Sequence, residues 1–197
     1  MARRRAKVAG PGAGTVANVN SQLPFMARPA GWRAAYGFCA AAIAIGGLAL
    51  IAHISNQPFI FPSLGPSAFL AFTSPFAPSA SPRNTVFGHW IGAASGYAGL
   101  WAFGLAHHPG ALKEGVSLPR IAAAAIAVAL ATAAMVIADA PHPPACATAL
   151  LVALGLLPKF HHIVIIAVAA VVMAAFSVVI NRVARVAYPT WSTPPSG

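Results

Sequence analysis

The sequence predicts an all-α membrane protein with four transmembrane helices and two shorter helices broken by prolines. Three observations carry this. Of the 197 residues 58% are hydrophobic and only 7% charged, whereas an ordinary soluble domain carries roughly a quarter charged residues. Long stretches contain no Asp, Glu, Lys or Arg: 34–82, 84–112, 121–138, 140–158 and 160–181. Prolines also interrupt the apolar sequence at two places, Pro62 with Pro66 and Pro141 with Pro143 and Pro144. A bilayer core about 30 Å thick takes about 20 helical residues. In lipid every backbone polar group must be satisfied within the protein, and no alternation suited to a barrel is present, so the spans are helices.

The elements follow in order. Residues 1–31 form a basic N-terminal tail with Arg3, Arg4, Arg5 and Lys7, and Gly, Pro, Asn and Ser follow where the apolar core of a signal peptide would stand. The four spans are 34–54, 86–106, 121–138 and 163–180. Between them lie the short apolar pieces 62–72 and 141–157, read as re-entrant or crossing helices. Non-helical backbone at membrane depth is tolerated where it lines a polar path, so both proline openings are candidate sites, against the plainer reading that they only end helices. Residues 188–197 are a Pro- and Ser-rich flexible tail. With the N-terminus cytoplasmic, four crossings place ten basic residues inside and two outside, and six crossings place nine against three; charge bias fits both. Gly88, Gly92 and Gly96 give the second span a small face, and the third is mostly alanine, so these two are expected in the bundle interior and the last span nearer lipid.

The 12 Lys and Arg against 2 Asp and Glu, net +10, do not form a nucleic-acid face, because the basic residues punctuate apolar stretches or cluster at the N-terminus. Cys39 and Cys146 each lie in apolar sequence and form no paired-thiol motif. No nucleophile elbow, zinc-protease motif or phosphate loop is present, so no enzyme, metal or cofactor is expected.

A shift of 81 positions lays Pro62 on Pro143, Ser67 on Thr148, Ala68 on Ala149 and Leu70 on Leu151, which suggests a two-fold internal repeat. Its halves are parallel if the short pieces re-enter and inverted if they cross. A helix N-terminus presents free N–H groups and a positive dipole end, suited to an anion. Pro66 and Pro144 fit a first helical turn. Ser67, Ala68 and Thr148 would then line an anion site with His142, although Ser67 and Thr148 equally suit plain helix-to-helix hydrogen bonds. Asp139, one of two acids, is a candidate for proton coupling or gating, or a structural acid capping a helix or pairing with Arg83 or Lys159. His142 can donate to an anion or relay a proton. His89, after Arg83 and Asn84, belongs to a candidate mouth. His107, His108, His161 and His162 mark solvated edges, and His53 the polar end of the first span.

The run Asp139-Ala140-Pro141-His142-Pro143-Pro144-Ala145-Cys146-Ala147-Thr148-Ala149-Leu150-Leu151 resembles the HPP family of integral membrane proteins, named for its His-Pro-Pro motif. The stretches Pro62-Ser63-Leu64-Gly65-Pro66-Ser67-Ala68 and Ser81-Pro82-Arg83-Asn84, with Gly88 and His89, are similar to the same family, and the likeness runs over 32–187. The resemblance implies a small protein of four transmembrane helices. Plant plastid and cyanobacterial members are associated with nitrite transport. Cys146 stands where the family more commonly has Gly, which would narrow the opening of the second short helix. Together these readings predict a bacterial inner-membrane transporter for nitrite or a related monovalent anion, proton-coupled and homo-oligomeric. The alternative is a non-transporting scaffold.

Overall fold

The computed structural model describes residues 25–157 and 159–193. The basic cluster at Arg3 to Lys7 lies outside them, as do residues 194–197. Among the described residues the regular structure is helical, with no strand: α1 Ala30–Ser55, α2 Leu64–Thr73, a 3-10 turn Pro78–Ala80, α3 Pro82–Ala102, the single-turn α4 Ala111–Glu114, α5 Leu118–Ile137, α6 Pro144–Ala153 and α7 Phe160–Val183.

Three helices, not four, are long and apolar enough to cross a bilayer: α1, α5 and α7. The expected second span corresponds to α3, which has 21 residues but also Arg83, Asn84, Thr85 and His89. Its position explains this composition. Twelve of its residues are buried, and α5, α6 and α7 surround it. A helix shielded by other helices need not match lipid, so α3 carries the glycines and polar groups that α1, with Ala40, Ala44 and Leu48 as its buried stripe, does not. The contrast expected between the third and fourth spans is absent, since α5 and α7 are buried to a similar extent. Helix α7 buries seven of its 24 residues, turning Ala169, Ala170, Ala174 and Ser177 inward, whereas α5 buries five of 20, the row Ala123, Ala127, Ala131 and Met135 besides Arg120, and leaves other alanines outside.

Caps set the element ends. Ser81 accepts a hydrogen bond from the Asn84 N–H at 3.3 Å, with Pro82 following as the first helical residue. Helices α3, α5, α6 and α7 each end in a Schellman turn: the N–H groups of Leu105, Ala140, Leu156 and Val186 reach back to the carbonyls of Leu100, Met135, Leu151 and Asn181 at 2.8, 2.9, 3.2 and 2.8 Å. The left-handed residue is Gly104 or Gly155 in two of these turns, and Asp139 (φ 46°) or Arg185 (φ 57°) in the others.

Contacts between helix ends give each helix its direction. At one end Phe25 packs on Phe76 with ring centroids 6.2 Å apart, the Arg83 N–H bonds to the Trp191 carbonyl at 2.9 Å, and the Arg83 side chain reaches Asp139. At the other, Ala111 N–H bonds to the Leu154 carbonyl at 2.9 Å and Tyr97 packs on Phe160 at 6.1 Å. The chain therefore passes six times between the two ends, with α2 and α6 each completing a pass begun by irregular backbone. Helices α1, α2, α3 and α5, α6, α7 run in opposite senses. Residues 184–193 return along the first end, where Tyr188 donates to the Ala80 carbonyl and Trp191 meets Arg83. Burial raises the Tyr188 phenol above its ordinary value, so it stays protonated and able to donate.

Candidate functional site

The glycine face of α3 brings α6 against it. A Cβ at Gly88 would stand 2.5 Å from the His142 Cβ, one at Gly92 would collide with the Ala145 carbonyl, and one at Gly96 would lie 2.6 Å from the Ala149 carbonyl. Small residues thus allow a backbone approach that any side chain would block. His89, next to Gly88, projects into the gap where the N-terminal turns of α2 and α6 meet.

That gap holds a closed set of hydrogen bonds. Ser67 Oγ lies 2.9 Å from His89 Nε2 and 2.9 Å from His142 Nε2. His89 Nδ1 lies 2.7 Å from Thr148 Oγ1, and Thr148 Oγ1 lies 2.8 Å from Ser63 Oγ. His142 Nδ1 lies 2.7 Å from the Ser79 carbonyl. Ser63, Ser67, His89, His142 and Thr148 are each at most 2% exposed. The two imidazoles meet edge to face at 4.9 Å. Helix α2 runs from this centre to one end of the bundle and α6 to the other, so both helix N-termini converge on the imidazole of His89.

The sequence-predicted residues divide accordingly. Ser67, Thr148, His142 and His89 are brought together. Ala68 and Pro144 are buried beside them in the first turns of α2 and α6, whereas Pro66 faces outward. Arg83 and Asp139 meet, but not as an ion pair: Arg83 Nη1 donates to the Asp139 carbonyl at 2.7 Å and Nη2 to the Ala138 carbonyl at 3.2 Å. The guanidinium therefore caps the C-terminal end of α5, where a cation is favoured, and Asp139 is exposed in its Schellman turn. Cys146 does not narrow the opening, since its Sγ turns toward Thr132 at 3.7 Å. His53, His107, His108 and His161 are exposed, and His161 packs on His162 at 4.1 Å. Among the described residues no three His, Cys, Asp or Glu side chains are placed to hold a metal.

Three positions escape a reading of the sequence. Ser63 is one more serine before a proline turn, and its only signal is its place at the N-cap of α2. Asn181 ties three helices, accepting from Tyr36 at 2.8 Å and donating to the Ala71 and Ser177 carbonyls at 3.3 and 2.8 Å; its signal is a polar amide at the end of a long apolar run. Arg120, 2% exposed, donates to the Ala153 carbonyl at 3.3 Å and the Pro109 carbonyl at 2.8 Å, so it caps α6 as Arg83 caps α5.

Two broken helices meeting around buried polar side chains, inside a bundle of long apolar helices, define an integral membrane protein of the interrupted-helix type. The model of the HPP transmembrane region matches residues 26–189, and the chain belongs to that family. Comparisons with curated proteins and with solved structures find no match.

Proposed function

We propose that the protein transports a small monovalent anion, nitrite or a related oxyanion, with proton coupling, and that the anion binds where α2 and α6 begin. One observation carries this reading: two helix N-termini from opposite halves of the chain converge on Ser67, His142 and Thr148 through His89. Aligned peptide dipoles make such ends favourable to negative charge without a buried Arg. Arg83 and Asp139 lie at the mouth beside the turn that carries His142, where they tune its charge. The opposed directions of the two halves support an inverted repeat. Arg28, Arg33, Arg83, Arg182 and Arg185 lie at one end, against Lys113, Arg120 and Lys159 at the other, which supports a cytoplasmic location for the first end in a bacterial inner membrane. A bundle of this size, with α3 filling its centre, supports a homo-oligomer. Nitrite itself rests on the family resemblance.

Uptake into proteoliposomes of purified protein tests the reading, with nitrite, nitrate, formate and chloride compared with and without an inward proton gradient. Saturable, gradient-driven nitrite uptake that falls at least tenfold in Ser67→Ala/Thr148→Ala, with protein still folded, is expected. The absence of flux of all four anions from folded protein would instead favour a membrane scaffold. That second reading has its own support, since the hydroxyls and imidazoles of the centre already satisfy one another.

A further inference from the structure

Helix α1 buries only the stripe Ala40, Ala44 and Leu48 among its 26 residues, and a groove follows a neighbouring face of the helix. Arg33, Gly37 and Ala41 recur at four-residue spacing and so lie on one side of α1. Phe69 and Phe72 of α2 line the other wall of a cavity of about 440 Å³, with Phe38 at its rim. Phe38 and Phe69 are 76% and 64% exposed, so the groove opens sideways to the lipid around the bundle. Thr73, also in the lining, donates its hydroxyl to the Phe69 carbonyl of its own helix at 2.7 Å. The groove is therefore apolar along its length, with a cation where it reaches the end of the bundle.

Arg33 is that cation. Among the described residues its side chain meets no oxygen: Nη1 donates to Met26 Sδ at 3.8 Å, and Nε is buried with no partner. Sulfur is a weak acceptor, whereas the planar donors of a guanidinium match phosphate oxygens two at a time. The residues beside Arg33 mark its depth. Trp32 stacks on Tyr36 at 5.5 Å, and Arg28 lies over the Trp32 ring at 5.1 Å; aromatic and basic side chains collect in this way at the level of lipid headgroups. From Arg33 to Ala41 the groove descends about 12 Å into the apolar part of the bundle, at the helical rise per residue.

From this geometry we propose that the groove between α1 and α2 binds one anionic phospholipid, its phosphate on Arg33 and one acyl chain laid along Gly37, Ala41, Phe69 and Phe72. The site does not rest on the transport reading. Charge selects this occupant over two others. Residues 1–24 hold Arg3, Arg4, Arg5 and Lys7 and no acid, so that segment offers Arg33 no counter-charge. A second copy of the chain has two acids to offer: Glu114 belongs to the opposite end of the bundle, and Asp139 sits in the turn that Arg83 caps. Arg28, Arg33, Arg83, Arg182 and Arg185 share their end with Asp139 as its acid, which favours a headgroup of net negative charge over a zwitterionic one. An acyl chain in the groove fills the space between α1 and α2, and so steadies the helix whose first turn carries Ser67.

Native mass spectrometry of the full-length protein in detergent, titrated with phosphatidylglycerol or phosphatidylcholine, tests the site. The wild type is expected to retain one phosphatidylglycerol roughly fivefold more tightly than phosphatidylcholine, the ratio one well-placed cation supplies. Arg33→Gln should remove that preference, while Arg182→Gln, at an exposed cation of the same end, should keep it. A Cβ at Gly37 would meet Thr73 Cγ2 at an ordinary 3.6 Å, so Gly37→Leu fills the groove and should weaken retention of both lipids. In proteoliposomes, phosphatidylglycerol with a photoactivatable group in its acyl chain should label the peptides that hold Phe38 or Phe69. Equal retention of the two lipids by the wild type, an unchanged preference in Arg33→Gln, or labelling confined to other helices would overturn the proposal. So would a dimer that persists without lipid and is split by Gly37→Leu, or cross-links from residues 1–24 into the groove that exclude the lipid. If Gly37→Leu does not fold, wild-type labelling and Arg33→Gln decide alone.

Discussion

At Ser67 one hydroxyl lies within hydrogen-bond distance of two imidazoles and also of the Ser63 carbonyl, at 3.1 Å. Removing it leaves buried ring nitrogens unsatisfied, at about 1–3 kcal/mol each. Ser67→Ala is therefore expected to lower the unfolding free energy by about that amount, measured by denaturant titration in detergent, and Thr148→Val by a similar amount through His89 Nδ1. The glycines of α3 give a sharper contrast. Gly92→Ala forces a methyl group into the Ala145 carbonyl and should cost about 1–3 kcal/mol or more, while Gly46→Ala in α1, whose Cβ would meet nothing within 4 Å, should be neutral or stabilising. Equal effects at the two positions would refute the close approach of α3 and α6. Ser67 and Thr148 were readable in the sequence as hydroxyls in proline-opened turns. Ser63 and Ser79 were not, since a serine's role here depends on which imidazole faces it.

The ends of the helices explain residues that composition alone misassigns. Asp139 reads as a costly acid at membrane depth, yet it occupies the left-handed position that closes α5, where short polar residues are tolerated and Gly is preferred. Asp139→Gly should thus keep or raise the melting temperature, and Asp139→Val should lower it, by the equivalent of about 1 kcal/mol or more. A large loss of stability in Asp139→Gly would instead show that the carboxylate is structurally required. Arg83 and Arg120 follow the same physics from the other side: each neutralises the carbonyl end of a helix, α5 and α6 respectively, which a count of basic residues treats only as orientation. The short helices were legible because prolines set their starts. The status of α3 was not, because its hydropathy falls once it is surrounded by protein.

Across the whole molecule, the number of passes separates two readings that the distribution of charge did not. Six passes put Asp139 and Ser192 on the same side, and four would put them on opposite sides. In a background without Cys39 and Cys146, Asp139→Cys and Ser192→Cys should react with a membrane-impermeant thiol reagent from the same face of oriented vesicles; labelling from opposite faces would refute the six-pass fold. The sequence by itself determined the helical membrane class, the two broken helices and the family likeness, because apolar length, proline and charge-free runs act locally and need no partner to be felt. Only the tertiary structure decided that α3 is the axis, that both short helices complete a pass, and that His89 stands between Ser67 and Thr148. Those outcomes depend on which small residues let two backbones meet, and that is a property of pairs of helices distant in the chain.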